Sequence, residues 1–434
     1  MMKPISSLQA SNLANVNDLN FRAPKGTRDI LWPDSERHQR LVDIFSAVVG
    51  EAGYTQVITP MFEHIEVFQR LGDATDVVRK EMYDFQDKGG RHLALRPEQT
   101  ASVVRAFAEH RPNIPWKAWY TGPNFRYERA QKGRFRQFSQ VGVEALGTED
   151  PYLDVEVMAL AWRFYERLGL SQIKLEVNSL GNKDDRVHFI DALSQHFEKY
   201  LKDLSEESQK TLEVNPLRVL DSNREQDSDL IASAPSMIDF LSEDAKKHFL
   251  LVQEGLGALD IPFIVNSKLV RGLDYYVRTA FEFVAESFDA AQNAVGGGGR
   301  YDGLVEDLGG PPTPGVGFAI GSDRTLLACE AEGVFQTSEP VTEVFVVDTT
   351  GGLAALSLTD QLRSAGFKTD RAWDNRSMKA QMKAADKSGA LIAVIVGEEE
   401  LATDTVTLRD LRESTDQIKI EKEIIIETLR KRLR

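Results

Sequence analysis

From Arg126 to Arg136 the chain sets five basic side chains, Arg126, Arg129, Lys132, Arg134 and Arg136, against a single acid, Glu128. The arginines among them keep their charge permanently and present planar donors. Directly after it, Phe138, Gln140, Gly142 and Glu144 recur at every second position and share one face of a strand. An amide, a gap and a carboxylate make a poor core face and a good floor for a small polar ligand, with Gly142 leaving room for that ligand to settle. Far along the chain, Arg324 lies in the first turn of a helix that Ser322 would cap. The helix dipole disfavours a cation there unless an anion shares the site, and a helix N-terminus with an arginine is a phosphate receptor. A hairpin with a solvated basic tip is the plainer reading of the first cluster taken alone.

These residues need elements to hold them. Residues 119–147 read as a strand, the basic loop and a returning strand. Upstream, Pro33-Asp34-Ser35 opens a helix whose Leu41, Ile44, Phe45, Val48 and Val49 form one apolar stripe, with Gly53 closing it and an apolar strand at 56–59 following. Residues 81–85 and 92–95 read as paired strands. Pro97 then sits where a helix can begin, with Glu98 in its first turn, where a carboxylate is favoured. Asp150-Pro151 is a second helix start, an N-cap followed by a proline, and the stripe from Leu153 to Leu168 is its buried side. From 181 to about 260 the chain is rich in helical charge and holds no motif chemistry, as a helical insertion would. Four glycines at 296–299 permit close backbone approach to a ligand, or simply a flexible turn, and lack the Gly-Lys-Ser/Thr of a phosphate loop. From Glu343 strand and helix alternate to the end, a small α/β domain of roughly a hundred residues.

A chain of 434 residues calls for two or three domains. The lone cysteine, Cys329, excludes an internal disulfide framework and any multi-cysteine zinc site, and fits a reducing compartment. No apolar run approaches the roughly 20 residues of a membrane helix. The polar first twenty residues show no secretory or transit signal. A net charge of -15 argues against indiscriminate coating of nucleic acid. Residues 341–434 are nearly neutral, with 15 basic and 16 acidic side chains, and end in Arg430-Lys431-Arg432-Leu433-Arg434. Polyanion contact is therefore expected through local patches.

Several stretches together resemble one family. Phe125-Arg126-Tyr127-Glu128 with Arg136-Gln137-Phe138 is similar to motif 2 of the class II aminoacyl-tRNA synthetases, and Gln140-Val141-Gly142-Val143-Glu144 to its histidyl-tRNA synthetase version. The helix and strand before Pro60 resemble motif 1, and residues 314–324 motif 3. Leu269 to Thr279, with Arg271, Tyr275 and Tyr276, resembles a histidyl-tRNA synthetase signature, and Gly296 to Gly303 a second, with Arg300-Tyr301 at the pocket rim. Val277 departs from the asparagine usual in the first signature, and Ala130 and Ser139 from a proline and a histidine common in bacterial members.

The resemblance implies an α+β catalytic domain with an antiparallel sheet, the class II synthetase fold, over residues 21–331. It further implies a helical insertion at about 181–260 and a C-terminal α/β anticodon-binding domain at 341–434, while the polar residues 1–20 read as a flexible extension. It implies ligation of L-histidine to tRNA(His) through histidyl-adenylate by a cytoplasmic homodimer, with ATP as substrate and Mg2+ bridging its phosphates. Arg271 and Arg126 would be catalytic, beside the α-phosphate. Glu128 and Phe138 would hold adenine, and Arg324 the γ-phosphate. Glu98 and Thr100 would bind the α-amino group, with Gln140, Glu144, Tyr275 and Tyr276 around the imidazole and Arg271 beside it. Arg129, Gln131, Lys132 and Arg134 would meet the acceptor stem. A non-catalytic paralogue is the competing expectation: the histidine-sensing regulatory subunit of ATP phosphoribosyltransferase.

Overall fold

The computed structural model describes residues 21–70, 80–129, 133–222, 224–270, 275–287, 293–336, 342–374, 376–413 and 416–433. The chain divides into two compact units, Met1–Thr337 and Ser338–Arg434.

Eleven described strands build the first unit. They are β1 (Thr55–Gln56), β2 (Phe62–His64), β3 (Tyr83–Gln86), β4 (His92–Leu95), β5 (Trp116–Phe125), β6 (Gln137–Leu146), β7 (Ile173–Ser179), β8 (Phe263–Val265), β9 (Val277–Ala285), β10 (Ala294–Arg300) and β11 (Gly315–Gly321). Eight form one sheet in the order β1-β5-β6-β11-β10-β9-β7-β8, and β2-β4-β3 form a small second one. The large sheet is antiparallel except at its margins, where β1 pairs β5 and β8 pairs β7 in parallel. The long hairpin read from residues 119–147 is β5 and β6, and β11 lies on the other side of β6.

Asp34–Gly50 and Pro151–Arg167 are among the helices packed on the sheet. Asp34–Gly50 buries Leu41, Phe45, Val48 and Val49. Pro151–Arg167 starts as its sequence promised, with the Asp150 carboxylate accepting the Tyr152 N–H at 2.9 Å. Phe45 meets Phe164 and Phe318 edge to face, at 5.2 and 6.1 Å between centroids, locking both helices to β11. The strand expected at 56–59 is shorter. After Gln56 only the Val57 N–H reaches Trp119 O, at 2.9 Å, and Pro60 has no N–H to extend the ladder. The insertion is helical, with Lys183–Lys199, Glu206–Val214, Glu225–Ala232 and Glu243–Ala258 around a core that includes Phe189, Leu193, Phe197 and Leu241.

The second unit holds β12 (Val344–Asp348), β13 (Thr369–Arg371), β14 (Ile392–Val396), β15 (Thr405–Asp410) and β16 (Ile418–Glu421), ordered β13-β12-β14-β15-β16. The first three run parallel, the last two antiparallel. Strand β16 and the short helix Glu398–Ala402 escaped the sequence reading: β16 alternates half-buried isoleucines with exposed lysine and glutamate and has no apolar run. Among the described residues, no helix is long and apolar enough to cross a membrane.

Candidate active site

Phe138 and Gln140, at the start of the shared face of β6, look into a cavity of about 350 Å³. Its lining includes Glu98, Thr100, Gln140, Tyr275 and Tyr276 together with Arg126, Glu128, Arg134, Phe138 and Arg324. Residues from five separate stretches thus meet because β6 sits between β5 and β11, with β10 one strand further on.

Glu98 stands before its helix, not in the first turn. The helix Thr100–His110 begins two residues later, and the Glu98 carboxylate accepts the Thr100 and Ala101 N–H groups at 2.7 and 2.8 Å. It satisfies donors that the helix start leaves open. Burial raises its pKa, opposed by those N–H groups and by the charge of Arg126. Gln140 is fixed by Asn124, whose Nδ2 donates to its Oε1 at 2.8 Å. Tyr275 and Tyr276 pack against each other with their rings tilted by 45° and centroids 4.5 Å apart.

Arg126 ties the two sets together. Its Nε donates to Pro97 O at 2.9 Å, next to Glu98, while its guanidinium lies 5.3 Å from the centre of the Phe138 ring. The Glu128 carboxylate is shared, 3.8 Å from Arg126 Nη1 and 3.4 Å from Arg134 Nη1. Arg134, read as part of the loop tip, therefore turns inward along the cavity wall, drawn by Glu128. Arg324 lines the cavity and donates to Ala294 O at 2.5 Å. Burial lowers its pKa, and the nearby positive charge of Arg134 adds to the effect. Two arginines lining one half-buried cavity favour an anion there. Ser322, expected as the cap, is instead the first residue of Ser322–Glu332, and its side chain makes no cap bond.

Three further expectations change. The space above Gly142 is not open to a ligand: Tyr120, its neighbour in register on β5, fills it, and a Cβ there would strike the Tyr120 ring and Phe318 O. Glu144 lies beneath the floor, fully buried, and does not line the cavity. Thr100 Oγ1 and Tyr120 OH donate to its Oε1 at 2.7 and 3.3 Å, and Tyr301 OH donates to Oε2. Burial pushes its pKa up to about 8, against the pull of the Tyr301 and Thr100 hydroxyls. Arg300 is not at the rim either. It is wholly buried, bonded to Asp154 and Asp302 and to Thr148 O.

The glycine run, read as a possible turn, is strand β10. Gly296 and Gly297 line the cavity, while a Cβ at Gly299 would strike Thr279 O and the Tyr276 ring. Arg271, Gln131 and Lys132 lie outside the described residues, and so does the stretch 1–20. Arg129 is exposed and does not line the cavity. Glu282, Phe135, Ser139 and Asp323 also line the cavity and were not foreseen. Glu282 had a visible signal, an acid within the strand Ala-Phe-Glu-Phe-Val; the other three had none.

An antiparallel sheet whose central hairpin carries an arginine-lined nucleotide-sized cavity defines the catalytic fold of class II aminoacyl-tRNA synthetases. The comparisons narrow this further. The "Histidyl-tRNA synthetase" family matches residues 26–324 and "Anticodon binding domain" residues 343–432. A histidine–tRNA ligase of Geobacillus kaustophilus is 48% identical over 401 residues, 90% of this chain and 94% of its own. That of Listeria monocytogenes serotype 4b is 46% identical over 420 residues, 95% of this chain and 98% of its own. The apo histidyl-tRNA synthetase of S. aureus superposes with a TM-score of 0.79 at 36% identity, covering 94% of this chain and 99% of that one. The chain belongs to the histidyl-tRNA synthetase family.

Proposed function

We propose that this chain joins L-histidine to tRNA(His) in two steps: attack of the histidine carboxylate on the α-phosphate of ATP, giving histidyl-adenylate and diphosphate, then transfer of the histidyl group to the tRNA. The first step depends on alignment and on neutralising phosphate charge more than on moving a proton. Arg126 and Arg271 flank the α-phosphate in this reading, and Arg324 takes the far end of the triphosphate. Phe138 stacks on adenine and Glu128 hydrogen-bonds it. Glu98 and Thr100 receive the α-amino group, while Gln140, Tyr275 and Tyr276 surround the imidazole. Glu144 acts from below, through the Thr100 hydroxyl that it holds. Arg129, Gln131 and Lys132 face the acceptor stem, and the second unit takes the anticodon.

Mg2+ enters with the ATP phosphates. Among the described residues no group of three or more histidine, cysteine, aspartate or glutamate side chains could hold a metal. Glu282 supplies a hard oxygen donor on the cavity wall, of the kind Mg2+ accepts alongside phosphate. A homodimer is supported by the exposed apolar side chains Ile58, Met61, Phe62 and Phe85 near the small sheet, which a partner copy would cover. We assign the reaction to the cytoplasm, where tRNA is charged.

The single observation behind this reading is the meeting of Arg126, Arg134 and Arg324 with Glu98 and Gln140 in one cavity. A non-catalytic histidine sensor has no need of those arginines or of an anticodon-binding domain. Histidine-dependent exchange of diphosphate into ATP tests it: exchange with histidine supports the enzyme, and no exchange favours the sensor.

A further inference from the structure

The segment just before the first helix is absent from every role assigned above, yet it braces the cavity from outside. Thr27 N and Oγ1 both donate to Pro24 O, at 2.9 and 2.8 Å, making a tight turn in which Gly26 has φ +84°. Gly26 O accepts the Arg136 N–H at 2.7 Å, and Arg136 O in turn accepts the Arg126 N–H at 2.9 Å. The turn is thereby bonded to the Arg136 arm of the hairpin, and through it to the Arg126 arm.

Arg28 extends this brace to a third element. Its guanidinium lies 4.4 Å from the centre of the Phe135 ring, and Phe135 is part of the cavity wall. Its Nη2 donates to Asp323 Oδ1 at 2.6 Å, in the first turn of Ser322–Glu332. The other Asp323 oxygen accepts the Ser139 N–H of β6 at 3.4 Å, and His38 Nε2 lies 3.7 Å from Oδ1. Asp323 is buried and immediately precedes Arg324. One guanidinium therefore bears on the wall that carries Arg134 and on the helix start that carries Arg324.

We propose that Arg28 is a positioning residue for nucleotide binding: through Phe135 and Asp323 it sets the spacing of the Arg134 wall and Arg324 across the triphosphate. The proposal rests on the reading of this cavity as the ATP site. Arg28 is 39% exposed but Asp323 only 7%, so removing Arg28 costs some stability as well, and the split between the ATP and histidine KM values is what isolates the positioning effect. Planarity is central: a lysine keeps the charge toward Asp323 and loses the flat contact with Phe135.

The test is diphosphate exchange by the full chain with ATP and histidine varied in turn, alongside the melting temperature. In Arg28→Ala the KM for ATP is expected to rise about tenfold or more, as loss of alignment does, while the KM for histidine stays near that of the unaltered chain. Arg28→Lys is expected to fall between the two, and it carries the test if the alanine variant does not fold. An unmoved ATP KM in both variants, or ATP and histidine KM values rising in step, overturns the proposal while leaving the ATP site intact. An unaltered chain without histidine-dependent exchange overturns the ATP reading and this inference with it.

Discussion

Arg300 and Asp154 form an ion pair wholly shut off from solvent, with Nη2 2.5 Å from Oδ1. Thr279 Oγ1 also donates to Asp154, at 2.5 Å, so β9, β10 and the helix Pro151–Arg167 are fastened at one carboxylate. Such a pair adds little over an apolar substitute, but breaking it strands a buried charge. Arg300→Met is expected to lose about 3–5 kcal/mol of unfolding free energy. Arg300→Met with Asp154→Leu should recover a good part of it. Urea unfolding of the single and double variants checks this, and equal losses in both would mean that the stranded charge is not the cause.

Glu144 makes a prediction about pH. Its folded pKa of about 8 lies above the ordinary 4.5, so the folded chain keeps a proton that the unfolded chain releases. Stability from this group is complete below about pH 4.5 and is lost as pH rises toward 8, at up to about 1.4 kcal/mol per pH unit. Glu144→Gln removes the titration and should flatten that part of the stability curve. Unfolding midpoints at pH 6 and pH 8.5 measure it; the same slope in both proteins would mean that the carboxyl is already ionised at neutral pH.

For the chemistry, Arg126→Ala and Arg271→Ala should each lower the exchange rate by about a hundredfold to a thousandfold, in line with loss of one preorganised charge donor. Histidine binding measured by calorimetry should persist in Arg271→Ala. Near-normal exchange in either variant would remove that arginine from the catalytic pair.

The division at Thr337 and Ser338 predicts that the first unit works alone on small substrates. A chain ending at 337 should retain histidine-dependent exchange and lose most tRNA charging. Equal charging by the shortened chain would show that the second unit is dispensable for tRNA.

Sequence reasoning reached the hairpin because a two-residue period survives in Phe138, Gln140, Gly142 and Glu144 whatever the surroundings. It reached the helix at Pro151 because N-cap chemistry is local. Depth was beyond it. Whether Glu144 faces a ligand or three hydroxyls depends on Tyr120 and Tyr301, which arrive from β5 and from the residue after β10. Arg300 looked like a rim residue for the same reason: its partner Asp154 is far away in sequence and close only in the fold. Arg28 carried no signal, since an arginine in a polar turn is ordinary until Phe135 and Asp323 are brought beside it.

The glycines under the cavity limit how this enzyme can be redesigned. With the Tyr120 ring over Gly142 and the Glu144 carboxylate where a side chain at Gly317 would go, there is no spare depth to excavate. An engineer seeking a roomier cavity would have to widen it laterally, at Gln140 or the paired tyrosines, because the downward routes end on the Tyr120 ring and the Glu144 carboxylate.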